Sequence, residues 1–275
     1  MTLIAILIGT LAAGVGSVWI AAALSWGMLG RYTSHMLSLA AGALLATAFV
    51  NLLPEAFESA AGAHSLSATL LAGLVFFFLL DKAELWHHGH EHHHEPAQRH
   101  GHAHDHDHDH DHDHAPGGHP RRHGGSWTVL LGDSVHCFGD GVLIASAFMA
   151  GLHLGAAAAL AVLVHEVPHH IGDLAVLRSG SGGNRRAALL KVSLAGALTA
   201  LGGLAGWALI GQLTGWLPYL LALAASSFIY VALADLIPQL QKRLNARQTA
   251  VQVLWLAAGL ALVALVGALG PAHGH

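Results

Sequence analysis

Ionisable side chains recur at helical spacing in two apolar stretches near the middle of the chain. The first stretch places three of them at i, i+3 and i+7, which share one face of a helix: Asp133, His136 and Asp140. The second places three at i, i+4 and i+8 and a fourth on the flank beside them: His165, His169, Asp173 and Glu166. Imidazole nitrogens and carboxylate oxygens are ligands of divalent cations. The pattern therefore predicts two polar stripes suited to holding a metal ion.

The elements that must position these stripes are membrane helices, as the composition indicates. Of the 275 residues, 54% are hydrophobic and 10% are charged, whereas a soluble domain has about 25% charged residues. Apolar runs long enough to cross a layer of about 30 Å as helix occupy eight ranges: 2–26, 35–57, 66–86, 127–149, 155–177, 187–211, 217–240 and 249–270. Because the runs do not alternate polar and apolar residues, they favour helices over barrel strands. The expected fold is an all-α polytopic membrane protein with eight transmembrane helices.

The basic residues indicate how these spans are oriented. All twelve lie at four alternate connections of the predicted spans: Arg31; Lys82, Arg99, Arg121 and Arg122; Arg178, Arg185, Arg186 and Lys191; Lys242, Arg243 and Arg247. Since short cytoplasmic loops carry the excess of Lys and Arg, we expect these connections in the cytoplasm and both termini outside. The N-terminal run lacks the basic flank of a secretory signal peptide, so it is interpreted as a retained first span. A bacterial inner membrane is the expected location.

The connection between the third and fourth spans has an unusual composition. Sixteen of the 25 histidines lie between His87 and His123, and seven of them occupy alternate positions: His102, His104, His106, His108, His110, His112 and His114. Such a segment cannot bury apolar surface, so we expect a disordered cytoplasmic loop at 87–126, between helices 1–3 in 1–86 and helices 4–8 in 127–275. Its imidazoles favour a low-affinity metal sink or sensor; the alternative is a polar linker.

Antiparallel packing of the fourth and fifth spans would bring the two stripes into register. Three rungs result, about 5–6 Å apart along the helices: Asp140 with His165, His136 with His169, and Asp133 with Asp173. Ionisable groups inside a membrane cost about 2.5–3.5 kcal/mol each unless they share a compensating partner. Three imidazoles and one carboxylate match the preferences of Zn²⁺. The first two rungs therefore predict a metal site at mid-membrane: His136, Asp140, His165 and His169.

The same residues resemble two motifs of the ZIP (Zrt-, Irt-like protein) family of divalent-metal transporters, and of its branch with a His-rich cytoplasmic loop. That family carries His-Asn-x-x-Asp-Gly in the fourth span and His-Glu-x-Pro-His-Glu in the fifth. Here the motifs begin at His136 and His165, with Cys137 in place of Asn and His170 in place of the last Glu. The resemblance covers the whole chain and implies eight spans with both termini outside. It also implies that the predicted quartet is the primary transport site and that Cys137 and Glu166 belong to an adjoining second site.

A short internal sequence repeat predicts that spans 1–3 and 6–8 are inverted repeats around the central pair, spans 4 and 5. Residues 51–55 read Asn-Leu-Leu-Pro-Glu in the second span, and residues 235–239 read Asp-Leu-Ile-Pro-Gln in the seventh. Transporters built from inverted repeats bind substrate near the midplane between them. Four acidic residues are then expected along the pathway, the first towards the outside and the others towards the cytoplasm: Glu55, Asp133, Asp173 and Asp235. The alternative is that they are polar residues at helix ends.

Three other functions fit parts of the pattern. The segment from His165 to His169 also matches the HExxH motif of zinc proteases, but Pro168 would disturb the ligand spacing, and a second ligand stripe would close the site to catalytic water. A cation-efflux antiporter would be expected to have six spans and a soluble domain after the last. A structural or sensory membrane protein is the third alternative, which only a transport assay separates.

The function predicted from the sequence is transport of Zn²⁺ into the cytoplasm, with no enzymatic activity. Cd²⁺, Fe²⁺ and Mn²⁺ are further candidate substrates. The expected partners are divalent metal ions and the lipid bilayer, with no nucleic acid, and a homodimer is left open.

Overall fold

A computed structural model describes residues 2–26, 33–89, 124–180, 183–212, 214–240 and 245–268. These residues form helices joined by short connections and contain no strand. The chain is an all-α polytopic membrane protein, as predicted. The seven predicted histidines of the His-rich segment lie outside the described residues.

Eight helices follow one another in the described part of the chain. Five are continuous or nearly so: α3 (Ala63–Gly89), α4 (Gly124–Ala150), α5 (Leu152–Gly180), α6 (Arg185–Ile210) and α8 (Ala246–Ala268). Three contain a π-helical segment between α-helical ones: α1 (Thr2–Leu11, Ala12–Gly16, Ser17–Trp26), α2 (Thr33–Ala46, Thr47–Leu52, Leu53–Glu58) and α7 (Leu217–Tyr230, Val231–Leu236, Ile237–Leu240). A short 3₁₀ turn, Thr214–Trp216, precedes α7.

Seven of these helices are long and apolar enough to cross a membrane, as judged on the described residues. The exception is α4, which has the length of a span at 27 residues but carries Asp133, His136 and Asp140, and these lower its hydropathy. The count of eight transmembrane helices therefore stays a prediction that depends on α4.

The ends of the predicted His-rich loop are helical. Helix α3 continues to Gly89, and α4 begins at Gly124, so each extends three residues into the range 87–126 predicted as a loop. Neither end has a proline that would stop the helix earlier. The remaining residues of that range, 90–123, lie outside the described part of the chain.

Helix α5 occupies the middle of the bundle and packs against α1, α2, α4 and α6. In the most apolar stretch of α5, 67% of the residues are buried, whereas only 11% are buried in the corresponding stretches of α3 and α8. The side chains exposed on α3 and α8 are large and apolar, for example Leu71, Phe76 and Leu254. The polar stripe of α5 is thus enclosed by other helices, while the outer helices present hydrocarbon to the bilayer.

Helix α4 lies against α6 at backbone contact distance. A Cβ atom on Gly141 would overlap the carbonyl oxygen of Thr199, and one on Gly202 would overlap the carbonyl oxygen of Phe138. Only glycine permits this approach of two helix backbones. Because Gly141 is the residue next to Asp140, this contact fixes the rotation of α4 and keeps its polar face towards α5.

Helices α2 and α7 share the short sequence repeat and also a π-helical distortion. In each, a six-residue π-helical segment ends two residues before a proline, Pro54 in α2 and Pro238 in α7. Proline removes a backbone donor, which favours a local change in the helical hydrogen-bond pattern. Helix α2 packs on α8, and α7 packs on α3. If a twofold axis relates α2 to α7 and α3 to α8, each of these two contacts is the symmetry equivalent of the other. These features agree with the predicted inverted repeats.

Candidate metal centre

Helices α4 and α5 are joined at Gly151 and pack against each other, which aligns their polar stripes. Nε2 of His165 lies 3.6 Å from Oδ2 of Asp140, and the His136 and His169 rings are 5.6 Å apart between centroids. Asp133 and Asp173 share a cluster with His169 in which the ligand atoms lie within 4.8 Å of one another. The structure therefore places the members of each predicted rung side by side.

Three residues of the predicted quartet converge with Glu166 in a first cluster: His136, Asp140, His165 and Glu166. Oε1 of Glu166 lies 3.0 Å from Nε2 of His165 and 3.3 Å from Nε2 of His136. The two Nε2 atoms are 3.5 Å apart. Oδ2 of Asp140 lies 3.9 Å from Nε2 of His136. Ligand atoms of a tetrahedral zinc site lie about 3.3–3.6 Å apart. The donor set and its spacing fit a divalent cation with little movement.

His169 lies outside this first cluster and belongs to a second one, with Asp133 and Asp173. Its Nδ1 is 3.3 Å from Oδ2 of Asp173 and 3.8 Å from Oδ1 of Asp133. Its side chain is 42% exposed, whereas that of Glu166 is 2% exposed. Glu166, which the family resemblance assigns to an adjoining second site, thus takes the fourth place beside His165, because its longer side chain turns inwards from the flank of the stripe.

A third cluster contains the residue that replaces asparagine in the motif, Cys137, together with Asp133, Glu166 and His170. All four are buried. His170 was not among the predicted site residues, although its position four residues after Glu166 places both on one face of α5. Helical spacing was therefore a signal that could have found it.

A cavity of about 870 Å³ opens beside the polar stripes, between α2, α3, α4, α5 and α7. Six polar residues of the stripes line it: Asp133, His136, Asp140, His165, His169 and Asp173. Apolar side chains such as Phe76 and Leu80 form much of the remaining wall. The first and second clusters are therefore accessible from the cavity.

Several buried polar atoms of these clusters have no hydrogen-bond partner among the described residues. They are Oδ2 of Asp133, Asp140 and Asp173, both carboxylate oxygens of Glu166, Nδ1 of His165 and Nε2 of His170. Imidazole nitrogens lie 3.0–3.6 Å from the carboxylates of Asp140, Glu166 and Asp173, and ionisable groups buried together in this way are costly unless protons or a cation lie between them. A cation bound between them would supply the missing interactions, which is the arrangement expected of a metal site.

The remaining predicted pathway residues lie on α2 and α7, whereas the three clusters are formed by α4 and α5. Glu55 is half-buried in the last α-helical segment of α2, and it does not line the cavity described above. Asp235 lies in the π-helical segment of α7. Their roles stay predictions.

Comparison with known proteins identifies the family. The sequence model described as "ZIP Zinc transporter" matches residues 1–267, so the chain belongs to the ZIP zinc transporter family, as the motifs indicated. Its members are transporters.

Several curated relatives align with part of the chain. Human "Zinc transporter ZIP4" is 40% identical over 116 residues, which are 42% of this chain and 18% of that protein. "Zinc transporter foi" of Drosophila melanogaster is 33% identical over 142 residues, 51% of this chain and 20% of that protein. Mouse "Zinc transporter ZIP10" is 39% identical over 119 residues, 42% of this chain and 14% of that protein. The aligned parts thus span a fifth or less of these three relatives.

Proposed function

We propose that this protein transports Zn²⁺ across the membrane into the cytoplasm through the cavity-facing clusters of α4 and α5. The observation that carries the proposal is the convergence of two imidazoles and two carboxylates in the first cluster, inside a bundle of apolar helices and beside a cavity. Groups of this kind inside a membrane typically mark an ion pathway. Membership of a zinc transporter family and the names of the relatives support zinc as the substrate.

The arrangement of the clusters suggests a sequence of binding steps. An ion would first be held by the predicted primary site, namely His136, Asp140, His165 and His169, with Glu166 as a further ligand. His169 lies between the first cluster and the acidic pair Asp133 and Asp173. An ion could therefore keep one imidazole ligand while its other ligands change from the first cluster to the second, about one helical turn away.

The inward direction rests on the family resemblance and on the predicted cytoplasmic position of the His-rich segment. The positions of the clusters along the helices indicate which side of the membrane each one would face. Asp133 is near the beginning of α4, after Arg121 and Arg122, and Asp173 is near the end of α5, before Arg178. Basic residues favour the cytoplasmic side, so the second cluster would be the cytoplasmic one. Both termini would then lie outside and the segment 90–123 inside, and a bacterial inner membrane would be the site of residence.

Catalysis by the HExxH segment is a less suitable function for this site. The general base of a zinc protease must face a metal-bound water, whereas Oε1 of Glu166 lies between the Nε2 atoms of His136 and His165, in a ligand position. We therefore propose no enzymatic activity. Cd²⁺, Fe²⁺ and Mn²⁺ are proposed as secondary substrates, and a homodimer as an assembly to be tested.

The decisive experiment is uptake of radioactive zinc into proteoliposomes that contain the purified full-length protein in a known orientation. Saturable uptake that depends on the protein is expected, and it should be lost in the double variant His136→Ala, His165→Ala. His64→Ala is a matched control, because His64 is exposed at the beginning of α3. Uptake by the double variant equal to that of the parent would contradict the proposed site.

The orientation has a separate test. A cysteine introduced at Gly62, between α2 and α3, meets only Ser65 at 3.6 Å and should react with an impermeant thiol reagent added to intact cells. The native Cys137 is buried and serves as the background. Protection of the introduced cysteine in intact cells, with reaction after the cells are opened, would reverse the proposed topology.

A further inference from the structure

The cavity beside the polar stripes is bordered by two helices that do not pack closely on each other. Helix α3 packs against α7 and touches the end of α2, and no comparable packing joins its described residues to α4. Both helices nevertheless line the cavity, α3 with Phe76, Phe77 and Leu80 and α4 with Val135 and Phe138. The side chains at these positions therefore decide whether the cavity is closed between α3 and α4.

These side chains leave an opening between α3 and α4. Phe76 is 54% exposed and Val135 is 55% exposed. Leu80 and Phe138 are also exposed. Side chains that sealed the space between two helices would be buried against one another. The cavity is therefore open to the outside of the bundle at this point.

The opening lies within the membrane-spanning part of α3. The apolar stretch of this helix that is long enough to cross a bilayer is Ala63–Leu80, and Phe76 and Leu80 belong to its last two turns. The same stretch exposes Leu71 and Leu79 to the bilayer. Since Phe76 is exposed as well and lines the cavity, the lipid-facing surface of α3 continues into the cavity.

The space behind the opening is unfilled next to α4 and α5. A Cβ atom on Gly139 or on Gly172 would meet no atom within 4 Å, and both glycines line the cavity. Val176 also lines it and is 48% exposed, although it belongs to the central helix α5. The cavity volume of about 870 Å³ lies within the range of about 300–1,000 Å³ found for ligand pockets. A ligand therefore has room here without a shift of any helix.

The walls of this space select the chemistry of the ligand. One wall carries the polar stripes, and the other is formed largely by apolar side chains such as Phe76, Phe138 and Val176. Water against an apolar wall is unfavourable. A peptide segment would bring backbone N–H and C=O groups that such a wall cannot satisfy. A hydrocarbon chain needs no hydrogen bonds, and the bilayer supplies one directly at the opening.

We propose that the acyl chain of a bilayer phospholipid enters the cavity between α3 and α4 and covers its apolar wall at Phe76, Phe138, Gly139 and Val176. The chain would confine water and the ion to the side of the polar stripes. The proposal goes beyond the transport function and does not depend on it, because it concerns the hydrocarbon that fills the cavity.

Photolabelling of the purified full-length protein in liposomes tests the proposal. The probe is a phosphatidylcholine with a diazirine near the end of one acyl chain, and mass spectrometry of the digested protein locates the adducts. Leu71 on the outer face of α3 is the internal standard, because bulk lipid reaches it. We expect adducts also on α5, within residues 168–176. Labelling of Leu71 without adducts on this segment of α5 would overturn the proposal.

A variant that fills the cavity supplies the second part of the test. Gly139→Leu places a side chain in the open space beside α4 and should lower the yield of α5 adducts relative to Leu71 severalfold. Gly215→Leu is the matched control, because a Cβ atom there also meets nothing within 4 Å and Gly215 does not line the cavity described above. Its adduct ratio should equal that of the parent protein.

The unfolding temperature in detergent shows whether each variant is folded. If Gly139→Leu is not, Gly172→Leu fills the same space from α5 and takes its place, with the same expected loss of adducts. An adduct ratio in the folded cavity-filling variant equal to that of Gly215→Leu would mean that the chain does not occupy the cavity, and the proposal would be wrong.

Discussion

Two faces of α5 carry the same kinds of side chain and have different access to the cavity. His165, His169 and Asp173 line the cavity, whereas Glu166 and His170, one residue further along, do not. A step of one residue turns a side chain by about 100° around the helix, which is enough to move it from the cavity wall to the interior of the bundle. The comparison shows that a step of one residue along α5 decides whether a polar side chain faces the cavity or the interior of the bundle.

The two faces of α5 also differ in the side chains of α4 that they meet. The cavity-facing side chains meet His136 and Asp140 of α4, which are borderline and hard ligands, and the buried ones meet Cys137, a soft ligand. Glu166 belongs to both sets through its two oxygens. The following changes test whether the two faces are independent, from the largest expected effect to the smallest.

Removal of a ligand from the cavity face should have the largest effect. His165→Ala is expected to lower kcat/KM for zinc uptake by more than about a hundredfold, since loss of a direct ligand should exceed the 10–100-fold cost of losing a supporting partner. The measurement is initial uptake into proteoliposomes, with His64→Ala as the control. Uptake by His165→Ala equal to that of His64→Ala would contradict the role of His165 as a direct ligand.

The packing of α4 on α6 should affect both faces at once. Gly141→Ala places a methyl group against the carbonyl oxygen of Thr199, and overpacking of this kind costs about 1–3 kcal/mol. A lower unfolding temperature in detergent and reduced zinc uptake are expected. Gly139→Ala is the matched control, because a methyl group there meets nothing within 4 Å. Equal unfolding temperatures of the two variants would contradict the close approach of the helices.

Much of the contrast between the faces was present in the sequence. Helical periodicity and the antiparallel order of two adjacent spans predicted which residues of α4 and α5 would lie at the same depth, and Asp140 does lie beside His165. The family motifs and the apolar runs predicted the membrane fold. These inferences depend on local spacing, which a sequence displays directly.

The parts that the sequence did not reveal depend on side-chain torsions and on distant contacts. Periodicity gave Glu166 a place on the flank of the stripe, but the inward turn of its side chain to Nε2 of His136 depends on rotamers. The contact between Ser17 and His170 joins residues 153 positions apart, and no local pattern indicates it. The π-helical segments of α2 and α7 moved no site residue out of its predicted helix.

A change in the second cluster should have an intermediate effect. Asp173→Asn removes the charge that lies 3.3 Å from Nδ1 of His169 and keeps the size of the side chain. If this cluster receives the ion after the first one, kcat for uptake should fall by about tenfold, in the range found for weakened metal surroundings, with a smaller change in KM. Glu58→Gln, on an exposed residue of α2, is the control. An increase in KM alone would place Asp173 before the first cluster instead of after it.

The smallest expected effect concerns ion preference at the buried face. Cys137→Asn restores the residue found in the family motif and removes the soft ligand, so the ratio of Cd²⁺ to Mn²⁺ affinity of the purified protein should fall, by less than the change expected for Asp173→Asn. Chelator competition measures both affinities, and comparing the parent and the variant after deletion of residues 90–123 from both removes the ligands of the His-rich segment. Cys137→Ser separates the thiolate from the size of the side chain: an equal fall in both variants is expected if the sulfur selects the ion. A fall in Cys137→Asn alone would assign the effect to the larger amide in a closed space, and an unchanged ratio in both would leave ion choice to the cavity face.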